Sequence, residues 1–369
     1  MTIRTDDLLA GSLVSTLGND ELGRVVRQFA VAVTDDVAGL IDPADPADPI
    51  AAQFLPTVAE LQPAADDQPD PIGDARWSPL PGIVHRYPDR VLLKPVLTCP
   101  VYCRFCFRRE QVGKDGGVLS PAALDKAFAY IAKHPEIWEV IVTGGDPFVL
   151  SPRRIGSIVR RLEAIDHVAV TRFHTRVPVV EPLRVSAALV AALTAEKAVY
   201  VVIHANHPRE LTPAVRDAVK RITQAGIPVL SQSVLLRGVN DDAAVLEGLF
   251  RALVAMRVKP YYLHHPDLAP GTGHFRLGIG KGRRLVGALR GRVSGLCQPG
   301  YVLDIPGGYG KVPIAASAAR PITASSAKAA AGKAASGKVP SDERAETWIV
   351  DGPDGRQHLY PPATGENEG

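Results

Sequence analysis

The sequence predicts an α/β fold: a partial (βα)6 TIM-like barrel with a helical N-terminal extension and a C-terminal hairpin tail. Three observations predict it. From about residue 90, short apolar runs rich in Val and Ile alternate with segments whose apolar residues recur at helical spacing. Several of those segments open on Ser-Pro or Thr-Pro, a capped helix start with proline where no N–H is needed. Polar residues gather just behind the apolar runs, at the end where barrels of this kind build their sites.

The elements follow in order. Residues 1–80 form the extension, rich in Ala, Asp and Pro, with a helical patch ELGRVVRQFAVAV and then a turn-rich DPADPADP. The barrel occupies 81–314. Its strands are VLLKPVL (91–97), EVIVT (139–143), VAVTRFH (168–174), VYVVIH (199–204), IPVLSQS (227–233) and VKPYYLH (258–264). Helices follow Ser120-Pro121, Ser151-Pro152 and Thr212-Pro213, and DDAAVLEGLFRALVAM and GRRLVGALRGRV supply two more. Strand–helix repetition implies a parallel sheet, and six units are too few for a closed eight-unit barrel. Residues 315–345, of Ala, Ser, Lys and Gly, read as a flexible linker. Residues 346–369 contain two alternating runs around DGPDG, a hairpin.

Composition narrows the function. Hydrophobic residues are 46 % of the chain, enough for a sizeable core, and the net charge is only 42 − 39 = +3. So small an excess does not call for nucleic acid. No apolar run is long enough for a membrane span, and the acidic start lacks a signal peptide's pattern. A cytoplasmic protein is expected.

Three of the four cysteines, Cys99, Cys103 and Cys106, fall in CPVYCRFC. Thiolates at this spacing can converge on a soft metal centre. Structural zinc takes four protein ligands, and only three are local. A 4Fe–4S cube on three thiolates leaves one iron open to a small molecule. The competing reading is zinc, with Cys297 or a histidine as fourth ligand.

The CxxxCxxC triplet, with Gly144-Gly145-Asp146 behind the next strand, resembles the radical S-adenosylmethionine enzymes. The wider pattern is similar to the lysine 2,3-aminomutase family: HRYPDRVLL, CRFCFRR, GGDP, HANHPRE, SQSVLLRGVND, PYYLHHPDL, GHFR and LDIPGGYGK occur in one order between about DPIGD and KVPI. The resemblance implies an isomerase that moves the α-amino group of L-lysine to the β-carbon. It implies three cofactors: a 4Fe–4S cluster, S-adenosylmethionine and pyridoxal phosphate. It further implies a small amino-acid substrate and a reductant protein such as flavodoxin or ferredoxin, and it leaves a homo-oligomer open. Formation of β-lysine for modification of elongation factor P, and a 2,3-aminomutase for another basic amino acid such as arginine, are the alternatives. An iron–sulfur sensor without pyridoxal chemistry is the non-enzymatic one.

The resemblance also assigns residues. Cys99, Cys103 and Cys106 hold the cluster. Lys311 matches the pyridoxal lysine, and Gly307, Gly308 and Gly310 allow the cofactor a close approach. Arg86, Tyr87 and Arg90 match the grip on its phosphate. Arg108 matches the partner of the substrate carboxylate, with Arg109 as the nearby alternative. Asp267 and Asp304 match the two carboxylates for the ε-ammonium. Gly144, Gly145 and Asp146 should contact the methionine end of S-adenosylmethionine, and His204 and Gln232 its adenosyl group. The chain departs from the family pattern in three ways. Tyr309 interrupts the glycine loop, His264 replaces an aromatic near the pyridine ring, and no cysteine follows Cys297 to build an additional C-terminal zinc site.

Overall fold

The computed structural model describes residues 2–4, 20–113, 117–315, 319–321, 348–351 and 357–360. Near the N-terminus, β1 (Thr2–Arg4) pairs antiparallel with β2 (Ala32–Thr34), and between them lies the helix Asp20–Gln28. Short helical turns at Asp35–Ala38, Ala51–Phe54, Val58–Leu61 and Ala75–Trp77 complete its described part, so it is helical only in short pieces.

The main sheet has nine strands: β3 (Ile83–Tyr87), β4 (Arg90–Val96), β5 (Glu139–Gly144), β6 (Val170–Thr175), β7 (Ala198–His204), β8 (Val229–Val234), β9 (Val258–His264), β10 (Gly300–Ile305) and β11 (Gly310–Pro313). From β4 to β10 every neighbouring pair is parallel and follows chain order. β3 and β11 close the two ends antiparallel. The helices Pro121–Ala132, Pro152–Glu163, Ala187–Leu193, Pro213–Gln224, Ala243–Ala255 and Ile279–Leu289 make the crossovers. The side chains of Ser120, Ser151 and Thr212 cap three of them, as the Ser-Pro and Thr-Pro pairs predict. Consecutive residues Val140, Ile141 and Val142 are all buried, as in a parallel sheet covered on both faces.

No ladder joins β3 to β11 among the described residues, yet the two edges touch. The Lys311 N–H on β11 donates to the Tyr87 hydroxyl on β3 at 2.7 Å. Arg86 lies 3.5 Å from Asp304, and the Trp77 indole donates to Gly308 O at 3.0 Å. The sheet therefore curls until side chains bridge the gap, giving the expected partial barrel. Its last parallel strand, β10, and the edge strand β11 carry Asp304 and Lys311, which the sequence pattern leaves in a loop. In the tail, β13 (Trp348–Asp351) and β14 (Gln357–Tyr360) form the expected antiparallel pair. β12 (Ala319–Pro321) adds a third strand inside the stretch expected to be linker; most of that stretch lies outside the described residues.

Candidate active site

The cysteine loop leaves the carboxyl end of β4 and is clasped by the loop behind β5. Gly145 N–H donates to Val96 O at 2.7 Å and Asp146 N–H to Thr98 O at 2.9 Å. A β-carbon on Gly145 would lie 2.3 Å from Thr98 O, so this approach needs glycine. All three thiols are free and partly buried. Burial, then Asp146, Cys106 and Cys103, push the Cys99 thiol far up; burial and Cys103 push Cys106 up to about 11. The thiols are thus close enough to oppose one another's ionisation, and cationic iron is what relieves such crowding by holding thiolates. Among the described residues no three His, Cys, Asp or Glu side chains converge on a single-ion site. Cys297 is no fourth ligand: it is buried just before β10, whereas the triplet follows β4, and parallel strands put those positions at opposite ends of the barrel.

Across the mouth stands Lys311. Its Nζ donates to Asp304 Oδ2, lies 3.2 Å from His264 Nδ1 and sits 5.6 Å above the Tyr262 ring. Gly307, Gly308 and Gly310 all have positive φ, and Gly73 packs so tightly on Gly308 that a β-carbon there would come within 2.5 Å of its nitrogen. Asp267 is half-buried beside this group. Burial and then Asp304 push its carboxyl up to about 7, against the pull of Lys311, Arg108 and Arg86.

Asp74 joins the two halves, and sequence reasoning assigned it no role. Its carboxylate accepts from Arg108 Nε at 2.9 Å and Nη2 at 2.8 Å, and Arg86 Nη2 and Lys94 Nζ approach to 3.4 and 3.8 Å. Burial opposes its ionisation, but Arg108 and Lys94 outweigh that and hold its carboxyl below the usual range. Three cations around one carboxylate leave an excess of positive charge suited to a phosphate or carboxylate. Arg86 reaches Asp304 as well, so charged contacts run from the cysteine loop through Arg108, Asp74, Arg86 and Asp304 to Lys311. The only signal for Asp74 was its place in DPIGD.

Arg90 lies against Tyr87 but at the exposed rim of the group. It is one-third exposed, pairs with Asp89 at 2.7 Å and stacks 3.8 Å from the Tyr87 ring. Arg109 is elsewhere, bound to Glu60. The Asp146 carboxylate accepts from Phe148 N, Thr175 Oγ1, Arg176 N and Val177 N, which ties β5 to β6 and leaves the loop backbone to face a ligand. His204 stacks on Phe105, with centroids 5.6 Å apart, and burial with Arg176 pushes its imidazole down to about 3. His174, also unassigned by the sequence, is the last residue but one of β6, and its Nδ1 lies 3.5 Å from Gln232 Nε2. Burial and neighbouring cations hold His174 and His264 far below the ordinary histidine range, so all three rings are neutral. The Nε2 atoms of His174 and His204 and Nε of Arg86 are buried without a protein partner. Such orphaned polar atoms mark room for polar ligands.

Known proteins share this pattern. A family model described as the radical SAM superfamily matches residues 93–247. The L-lysine 2,3-aminomutase of Clostridium subterminale is 41 % identical over 293 residues, covering 79 % of this chain and 70 % of that protein. This chain belongs to the lysine 2,3-aminomutase family. The L-lysine 2,3-aminomutase of Bacillus subtilis is 37 % identical over 84 % of this chain and 66 % of its own length. The glutamate 2,3-aminomutase of Clostridioides difficile is 35 % identical, covering 84 % of this chain and 74 % of its own. Membership makes the chain a radical S-adenosylmethionine aminomutase, an isomerase, and implies a 4Fe–4S cluster, S-adenosylmethionine and pyridoxal phosphate. The crowded thiols, the glycine-flanked Lys311 and the orphaned polar atoms fit all three. Among the described residues no helix is long and apolar enough to cross a membrane.

Proposed function

We propose that this aminomutase uses pyridoxal phosphate on Lys311 to convert L-lysine to β-lysine. The observation that carries the reading is the pair Asp267 and Asp304 beside the Lys311 amine. The pair suits a substrate with a distal cation. It would repel a γ-carboxylate, which argues against glutamate, the substrate named for the Clostridioides difficile relative.

When bound, pyridoxal phosphate would conjugate the migrating nitrogen to its ring and so spread the unpaired electron, and S-adenosylmethionine on the reduced cluster would supply a hydrogen-abstracting radical. The chain's own residues do the rest. Cys99, Cys103 and Cys106 hold the cluster at one side of the barrel mouth. The main chain of Gly144, Gly145 and Asp146 would face the amino-acid end of S-adenosylmethionine, and neutral His204 with Gln232 would line the adenosyl side. Tyr87 fixes the Lys311 backbone while Arg86 adds charge for the phosphate. Lys311 would hold pyridoxal phosphate through its Nζ, and Asp304, which accepts from that amine, would face the substrate's ε-ammonium together with Asp267. Asp74 holds the Nε and Nη2 side of Arg108, leaving the Nη1 side for the substrate carboxylate. A small electron-carrier protein is the partner this chemistry requires.

An anaerobic assay of lysine, arginine, glutamate and alanine, following each β-isomer, tests the substrate. Lysine should turn over best; preferred turnover of glutamate would refute the two-carboxylate argument. Lys311→Ala should abolish the visible absorbance of lysine-bound pyridoxal while iron content stays at the parent level. An undiminished band would exclude this lysine.

A further inference from the structure

Arg176 follows β6 and takes no part in the contacts proposed for pyridoxal or substrate. It is nonetheless buried against the cysteine loop. Its Nη1 donates to Cys103 Sγ at 2.7 Å. Its Nη2 donates to Gln53 Oε1 and Glu210 Oε2, both at 2.8 Å. The guanidinium is centred 4.5 Å from the Phe54 ring and 5.2 Å from the Phe105 ring. Its partners are fixed in turn. Glu210 Oε1 accepts the Asn206 and His207 N–H groups at 2.8 Å, and Gln53 Oε1 accepts from Asn206 Nδ2 at 3.0 Å. Gln53, Asn206 and Glu210 are all essentially buried.

We infer that the Arg176–Glu210 pair sets the reduction potential of the cluster through the N–H···S bond to Cys103. This rests on the three cysteines holding that cluster. Reduction adds negative charge, so a donor to a ligand sulfur and a nearby buried cation both favour the reduced form. Glu210 offsets the cation without touching the hydrogen bond. The two side chains therefore push the potential in opposite directions. Arg176 is a positioning residue: it acts through Cys103 and reaches no substrate atom.

The test is a redox titration of the anaerobically reconstituted protein, followed by the EPR signal of the reduced cluster, with no substrate or S-adenosylmethionine added. Arg176→Met should lower the ratio of reduced to oxidised cluster at a fixed potential about tenfold, a midpoint about 59 mV more negative for one electron. Arg176→Lys, which keeps charge and a donor, should recover part of that shift. Glu210→Gln keeps the Cys103 donor and an oxygen for the two backbone N–H groups, and should raise the same ratio about tenfold. If Arg176→Met loses its iron, Glu210→Gln decides alone. An unmoved midpoint in Glu210→Gln, or shifts of the same sign in the Met and Gln variants, overturns the inference. A parent protein that reconstitutes no brown cluster would instead overturn the cysteine assignment.

Discussion

Asp267 concentrates the electrostatic conflict of the site in one side chain. Half-buried and facing Asp304, its carboxyl is pushed up to about 7, so near neutrality a sizeable fraction is protonated in the free enzyme. The neutral acid cannot pair with an ε-ammonium. Lysine must therefore bind the ionised form, and kcat/KM for lysine should rise with pH through about 7. Once bound, the ammonium favours the carboxylate, so the acid limb of kcat should lie at lower pH than that of kcat/KM. A flat kcat/KM profile across that range would remove Asp267 from the substrate site. Asp267→Asn should lower kcat/KM about 10²- to 10³-fold, the equivalent of about 3–4 kcal/mol for a desolvated charge pair, and erase the acid limb. Asp267 was legible only through the pattern PYYLHHPDL. Asp74 and Lys94, which pair with each other at the same site, were not, because a lone carboxylate in a turn and a lysine in a strand carry no local sign that folding will place them together.

The loop behind β5 works as an element because its backbone lies directly on the cysteine loop. A β-carbon at Gly145 would meet Thr98 O at 2.3 Å and Thr98 N at 2.7 Å, both main-chain atoms that cannot swing aside. Gly145→Ala should displace the chain leading into Cys99, costing about 1–3 kcal/mol and lowering iron retained per chain. Gly238→Ala is the control: its φ is +74°, but nothing lies within 4 Å of the added carbon. It should lose about 1–2 kcal/mol, the cost of a β-carbon in the left-handed region, and keep its iron. Full iron content in Gly145→Ala would refute the contact's importance. The contrast also explains which elements the sequence revealed. Runs such as VKPYYLH and starts such as Ser151-Pro152 carry periodicity and caps of their own, and they fold where expected. β10 and β11 are short and straddle a glycine turn. Their pairing depends on β9 beside them, and on β3 arriving from the far edge of the sheet with Tyr87.

At the scale of the whole molecule, the N-terminal residues form part of the wall of the cluster site. Glu60 is fully buried and binds two arginines of the cysteine loop: Oε1 accepts from Arg104 Nε at 2.9 Å, and Oε2 pairs with Arg104 at 2.5 Å and with Arg109. Arg104 also donates to Ala30 O at 2.9 Å, Arg109 donates to Gly271 O at 3.0 Å, and its guanidinium lies 3.6 Å from the Phe29 ring. One carboxylate thus clamps the extension, the cysteine loop and the segment after β9. An acid in the Pro- and Ala-rich run TVAELQPAA gives no hint of this, because both partners lie more than forty residues away. Burial alone would raise the Glu60 carboxyl, but Arg104 and Arg109 hold it below its ordinary 4.5. A depressed folded-state value means the stabilisation is complete above the unfolded value and is lost as pH falls through the folded one. Glu60→Gln leaves two buried guanidinium groups without their counter-charge, and should cost about 3–5 kcal/mol in urea unfolding of the iron-free protein at neutral pH. The parent should lose that advantage on acidification below about 4.5, so the two unfolding midpoints should converge there. Equal midpoints at neutral pH would mean that the extension is only draped over the barrel. A lower midpoint together with weaker iron retention would mean that residues far from CPVYCRFC in sequence help to hold that loop in shape.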